Sequence, residues 1–190
     1  MTRIILTTVL CLLAIMSAAA EKLPMSEREL AETRLLAEWV GEPEKQFILG
    51  NVYYEGEGVS RDYAEAARWF RLSADQGLAE SQYMLGVMYD RGDGMPQDYA
   101  KAVKWYREAA DQGFAPAQYG LGSQYATGEG VPQNFSEAYV WFSLAASAGF
   151  EMARKDRDAF AGKLSQEEIM KAQQRAAQLF ENMQPGKTEE

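Results

Sequence analysis

The residues able to do chemistry are few. The 190-residue chain has no histidine and one cysteine, Cys11, so histidine triads, imidazole proton transfer and histidine-ligated metals are closed to it. Serine–lysine pairs, carboxylate pairs and tyrosines remain, and none stands in a recognisable catalytic pattern. Glu167 and Glu168 are neighbours in sequence and do not face one another on a helix. Asp90, Asp93 and Asp98 suggest a calcium loop, but the twelve-residue ligand spacing and its closing glutamate are missing. Three Gly-x-Gly pairs (Gly56/Gly58, Gly92/Gly94 and Gly128/Gly130) could suggest a phosphate cradle. No basic residue accompanies all three, and helix termination explains them better. The expectation is a protein that is not an enzyme, with no cofactor and no metal.

Charge narrows the partner. With 19 basic and 28 acidic residues the formal charge is −9, which argues against nucleic acid and anionic membrane surfaces. A protein partner with a basic patch fits better, with association weakened by salt. The expectation is a monomer that touches membranes only through such a partner.

Residues 1–20 read as an address. Met1-Thr2-Arg3 is a short basic start, an apolar run follows to Met16, and Ala18 and Ala20 meet the small-residue cleavage pattern, so cutting is expected before Glu21. The run is shorter than the roughly 20 residues of a spanning helix. Cys11 lies inside it, preceded by Leu10, which argues against lipidation and leaves the mature chain without cysteine. A periplasmic location is expected, with secretion as the alternative.

Stepping through the chain at a fixed interval exposes the elements that position everything else. Trp69, Trp105 and Trp141 lie 36 residues apart, and aligning 44–79, 80–115 and 116–151 without gaps leaves ten of 36 columns identical. Those columns begin at Gln46, Leu49, Gly50, Tyr53, Gly56, Gly58, Ala66, Trp69, Ala74 and Gly77. Gln46, Leu49, Gly50 and Tyr53 form one face of a first helix that Gly56 ends. Asp62 or its equivalent, Asp98 or Asn134, caps a second helix, whose buried stripe is Ala66, Trp69, Phe70 and Ala74. Gly50, Ala66 and Ala74 are expected to let helix backbones approach, with the tryptophan filling the gap between them.

Flanking segments continue the pattern. Ser26 and Glu29 have capping-box spacing, and 26–40 reads as a degenerate second helix closed by Gly41, within an N-terminal cap at 21–43. Residues 152–184 read as a C-terminal cap, with helices at 151–161 and 166–183 and a polar outer side at Gln173, Gln174, Arg175 and Gln178. The last helix is capped by Ser165 and Glu168 and ended by Pro185-Gly186, leaving a flexible tail at 185–190.

The unit resembles the Sel1-like repeat, a relative of the tetratricopeptide repeat. The strings that carry the likeness are QFILGNVYYEGEGVSRDYAEAARWFRLSADQGLA (46–79), QYMLGVMYDRGDGMPQDYAKAVKWYREAADQGFA (82–115) and QYGLGSQYATGEGVPQNFSEAYVWFSLAASAGF (118–150). The resemblance implies an all-α fold, a right-handed α-solenoid of three repeats between helical caps. It also implies an exported adaptor or regulator that binds protein through its concave face. An inhibitor or immunity protein against a secreted toxin such as a lipase is the alternative. A β-lactam or cell-wall hydrolase is a weaker one, because that branch of the family uses two cysteines per repeat.

The face opposite the invariant columns of each first helix is where individuality can be placed. It carries Ile48, Asn51, Val52 and Glu55, then Met84, Val87, Met88 and Arg91, then Gly120, Ser123, Gln124 and Thr127. These positions, Gly120 apart, are the candidate partner-binding residues, with a partner segment expected across the first two repeats. The Met84/Val87/Met88 stripe either meets that partner or packs against the next helix.

Overall fold

The computed structural model describes residues 25–183. The expected leader, the side chain of Ser26 and the 185–190 tail lie outside the described residues. Every regular element among those residues is helical: α1 (Met25–Leu35), a π-helical turn (Leu36–Val40), α2 (Pro43–Glu55), α3 (Tyr63–Ala74), α4 (Ala79–Arg91), α5 (Tyr99–Asp111), α6 (Ala115–Thr127), α7 (Phe135–Ser147), α8 (Glu151–Ala161) and α9 (Gln166–Asn182). They fall into two compact units, one ending at Trp69 and one beginning at Phe70.

Local chemistry sets the helix ends. Gly56, Gly92 and Gly128 close the first helices with φ of 77°, 79° and 83°, a left-handed conformation that costs glycine little. Asp62, Asp98 and Asn134 each accept the backbone N–H three residues on, at 3.0–3.1 Å. The Asp98 cap therefore forms although Lys101 occupies the glutamate place, and Lys101 Nζ returns to Asp98 at 3.0 Å. Ser165 and Glu168 complete a reciprocal capping box at α9.

In the first unit Ala37, Leu49 and Trp69 form the core, with Leu30 and Tyr53 against it. The invariant Gln46 is buried and donates from its amide to the Ala37 carbonyl at 3.2 Å. Arg34 donates to the Tyr53 hydroxyl at 2.6 Å.

The second unit repeats both bonds twice, with one residue less between partners. Gln82 and Gln118 donate to the carbonyls of Ala74 and Ala110, each eight residues away rather than nine. Arg71 and Arg107 reach the hydroxyls of Tyr89 and Tyr125 across 18 residues rather than 19. The extra residue of the first unit is taken up by the π-helical turn before Gly41, the usual way a helix absorbs an insertion. The spacing of Gly41 from Gly77 remains 36 and conceals it.

Aromatic side chains, rather than close backbones, explain the recurrent glycine. A Cβ on Gly86 would stand 2.5 Å from the Tyr106 ring, and one on Gly122 would stand 2.8 Å from Phe142. The ring that needs the space is thus the residue after the tryptophan, which corrects the sequence-based expectation. The indoles are core all the same: Trp69 and Trp141 are almost wholly buried. The Arg71 guanidinium covers the Trp105 ring at 4.6 Å, and Arg107 covers Trp141 at 5.5 Å. Helices α8 and α9 close the second unit, with Ala153, Ala172 and Ala176 buried. Gln173 donates to Tyr139 at 3.2 Å, and Arg175 pairs with Glu137 at 2.8 Å.

Candidate protein-interaction surface

The variable face of the first helices divides into exposed and buried positions. In the first unit Ile48 is 42% exposed, Glu55 is exposed, and Asn51 and Val52 are half-buried. In the second unit Arg91 and Thr127 are exposed, and Met84 and Ser123 are half-buried.

Three candidate positions are corrected by burial. Met88 is 0% exposed, Val87 9% and Gln124 5%. Val87 belongs to the main core cluster with Tyr106, Leu121 and Val140. The Met84/Val87/Met88 stripe is therefore chiefly packing, and a glutamate at Met88 would probe folding rather than recognition. The reason lies in stacking: Leu121 and Val140 of the third repeat share the core cluster of Val87, so variation there follows the neighbour's shape. Gly120 shows the same contact from the other side, since the Tyr106 ring of the preceding repeat lies 3.3 Å from where its Cβ would stand.

Gln124 is buried without joining the apolar core. Its amide nitrogen donates to Asp90 Oδ1 at 2.6 Å, while its Oε1 is buried with no donor. Asp90 closes α4, and burial pushes its carboxyl above the ordinary range, opposed by the bond from Gln124 and reinforced by Glu129. Glu129 follows α6, where Thr127 Oγ1 contacts its Oε2 at 3.1 Å. Tyr83 and Tyr106 pack at 5.8 Å between centroids, and burial, then the Asp90 charge, raises the Tyr106 hydroxyl. Asp90 and Glu129 were not among the sequence-based binding candidates. The available signal was that Asp90 stands where the other repeats place Tyr54 and Ala126.

The remaining polar groups have structural employment. Asp98 caps α5 while Asp90 binds Gln124, so the suspected calcium loop is divided between separate tasks. Tyr119 donates to Asp156 at 2.8 Å, and burial followed by that carboxylate pushes its hydroxyl up to about 12. Among the described residues no group of three or more carboxylate, cysteine or histidine side chains is placed to hold a metal. No described helix is long and apolar enough to cross a membrane.

Comparison with known proteins agrees with this geometry. The Sel1 repeat model matches residues 44–78, 79–114 and 115–150, and its second and third matches begin where α4 and α6 begin. The crystal structure of c5321, a protective antigen of uropathogenic Escherichia coli strains with an SLR fold, is similar at TM-score 0.77 and 27% identity, over 89% of this chain and 37% of that one. A Sel1 repeat protein from Oxalobacter formigenes is similar at TM-score 0.64 and 37% identity, over 70% of this chain and 98% of that one. No curated protein matches. This chain thus spans well under half of the antigen. Three consecutive matches over more than half of the sequence, on a wholly helical framework, place the chain in the Sel1-repeat family, an α-solenoid class whose repeats generally mediate protein–protein interactions.

Proposed function

We propose that the chain is an exported, non-catalytic adaptor or regulator, and that it recognises a protein partner through the outward faces of its first helices. The observation that carries this reading is the contrast within those helices. The invariant glutamine, leucine and glycine are buried, while Ile48, Glu55, Arg91 and Thr127 differ between repeats and stay exposed. An exposed isoleucine beside charged and polar groups suits recognition better than packing. The net charge of −9 favours a partner with a basic surface. Export is supported by the basic start, short apolar run and small-residue pattern of residues 1–20, and the described antigenic role of c5321 is in keeping with it.

Photo-crosslinking in cells tests the reading. A photoreactive residue is placed singly at Ile48, Met84 and Thr127, with Leu72 and Met152, both exposed, as controls on second and capping helices. The expected result is one protein adduct from first-helix positions, lost at high salt, on a chain whose N-terminus is Glu21. Adducts confined to the control positions would overturn the surface assignment, and an unprocessed N-terminus would overturn export.

A further inference from the structure

We propose that Trp39 and Val40 are an anchor by which the N-terminal cap enters an apolar pocket, rimmed by lysine or arginine, on the protein partner. The inference rests on the interaction reading above and adds a site outside the first-helix faces. Register locates it. In the second unit two residues separate the alanine that receives the buried glutamine from the glycine ending that segment: Asp75 and Gln76 after Ala74, Asp111 and Gln112 after Ala110. After Ala37 there are three before Gly41, namely Glu38, Trp39 and Val40. Glu38 keeps the place of the acid, so Trp39 and Val40 together stand for one glutamine. Gly77 and Gly113 donate to a carbonyl three residues back, whereas Gly41 donates to Leu36, five back, at 2.9 Å. The helix end is thereby a π-helical turn, a distortion found often at functional sites.

An insertion that served packing would bury its side chains. Trp39 is instead 66% exposed, the most exposed large apolar side chain among the described residues, and Val40 is 52% exposed. The other three tryptophans are buried. An indole is seldom left so open to water, and at interfaces tryptophan is prominent among the few side chains that carry most of the binding energy. At the equivalent place an exposed glutamine suffices, in Gln76 and again in Gln112.

Charge names the kind of partner. From Leu35 to Glu44 the chain carries Glu38, Glu42 and Glu44 and no lysine or arginine. The nearby cations are engaged or withdrawn: Arg34 donates to Tyr53, Arg68 feels Glu38 but pairs with Glu65, and Lys45 is half-buried. An indole set among carboxylates complements an apolar pocket with a basic rim, and the same carboxylates are repelled by an anionic membrane surface.

The test places a photoreactive residue at Val40 of the full chain, with Trp39 intact, and crosslinks in cells. The expected result is one protein adduct, mapped by peptide mass spectrometry to an apolar surface segment flanked by lysine or arginine. Its yield should fall several-fold in Trp39→Gln, and likewise in the neutralised variant Glu38→Gln/Glu42→Gln/Glu44→Gln. A partner-free measurement accompanies it: Trp39→Gln with Val40 deleted restores the ordinary register, and its melting temperature should equal or exceed the parent's. A lower melting temperature would show that the extra residue serves the fold, and would overturn the proposal. So would an adduct to lipid, to a second copy of this chain or to a segment without basic residues, or a yield indifferent to either variant. Adducts from Ile48 or Thr127 with none from Val40 would overturn this anchor alone; no adduct from any of these positions would overturn the interaction reading with it.

Discussion

Two glutamines on α6 are almost equally buried and serve different ends of the molecule. Gln118, near the helix start, donates to the Ala110 carbonyl, repeating what Gln82 does for Ala74. Gln124, near the helix end, donates to an acid instead. Both leave a bare oxygen, yet only one has an explanation within the repeat. The Gln82 oxygen is served by Gln112 at 2.7 Å, and the residue 36 positions after Gln112 is Ala148, which has no donor to offer. The Gln118 vacancy is thus a place where the repeat pattern lapses. The bare Gln124 oxygen belongs to a side chain that follows no repeat pattern, since its counterparts are Val52 and Met88. Scaffold groups recur and lose stability when altered; recognition groups depart from the repeat and hold stability back. The following experiments press on that distinction.

The largest effect is expected at the scaffold. Trp141 is 0% exposed in the main core of the second unit. Trp141→Ala removes that packing and the ring beneath Arg107, and should lower unfolding free energy by about 3–5 kcal/mol. Urea denaturation followed by circular dichroism measures it. A loss under about 1 kcal/mol would mean that the indole is not the keystone of its repeat.

Gly86→Ala is a finer probe of the same side. Alanine would raise helix propensity by about 1 kcal/mol, but its methyl would stand 2.5 Å from the Tyr106 ring. Overpacking should dominate, for a net loss of about 1–3 kcal/mol. Trimming the ring in Gly86→Ala/Tyr106→Leu should reduce the penalty of the added methyl, so the two changes couple in a double-mutant cycle. Purely additive losses would show that the ring does not account for the glycine.

How much was legible in the sequence follows from which forces are local. Helix ends were readable because caps act within a few residues: 151–161 was expected and Glu151–Ala161 observed, and the Ser165–Glu168 box formed as spaced. The indole core and the repeat period were readable because identical surroundings demand identical residues. The π-helical turn escaped because the inserted residue left Gly41 in register with Gly77 while moving Arg34 and Ala37 out of it. The burial of Gln124 escaped, and that of Val87 and Met88 stayed one of two open readings, because it depends on the adjoining repeat, whose approach no helical wheel represents. Asp90 escaped because an acid near a helix end resembles ordinary solvated charge until its partner 34 residues away is located.

The smallest effect should have the opposite sign. Burial raises the Asp90 carboxyl above its ordinary value of 3.8, Gln124 and Arg91 draw it back, Glu129 raises it further, and the neighbouring Tyr83 and Tyr106 are uncharged. Between the ordinary and the raised value the folded chain binds more protons than the unfolded chain, so this group's contribution to stability falls as pH rises through that window and then levels off. Below the ordinary value Asp90 is protonated in both states and imposes no penalty. Asp90→Asn keeps an oxygen for Gln124 and discards the charge. Its melting temperature should therefore match the parent at pH 3 and exceed it at pH 7, with the difference opening between. A variant less stable than the parent at pH 7 would make Asp90 a scaffold residue. A gain in stability at pH 7 would show that the carboxylate is retained at a cost to the fold, as a structural group would not be.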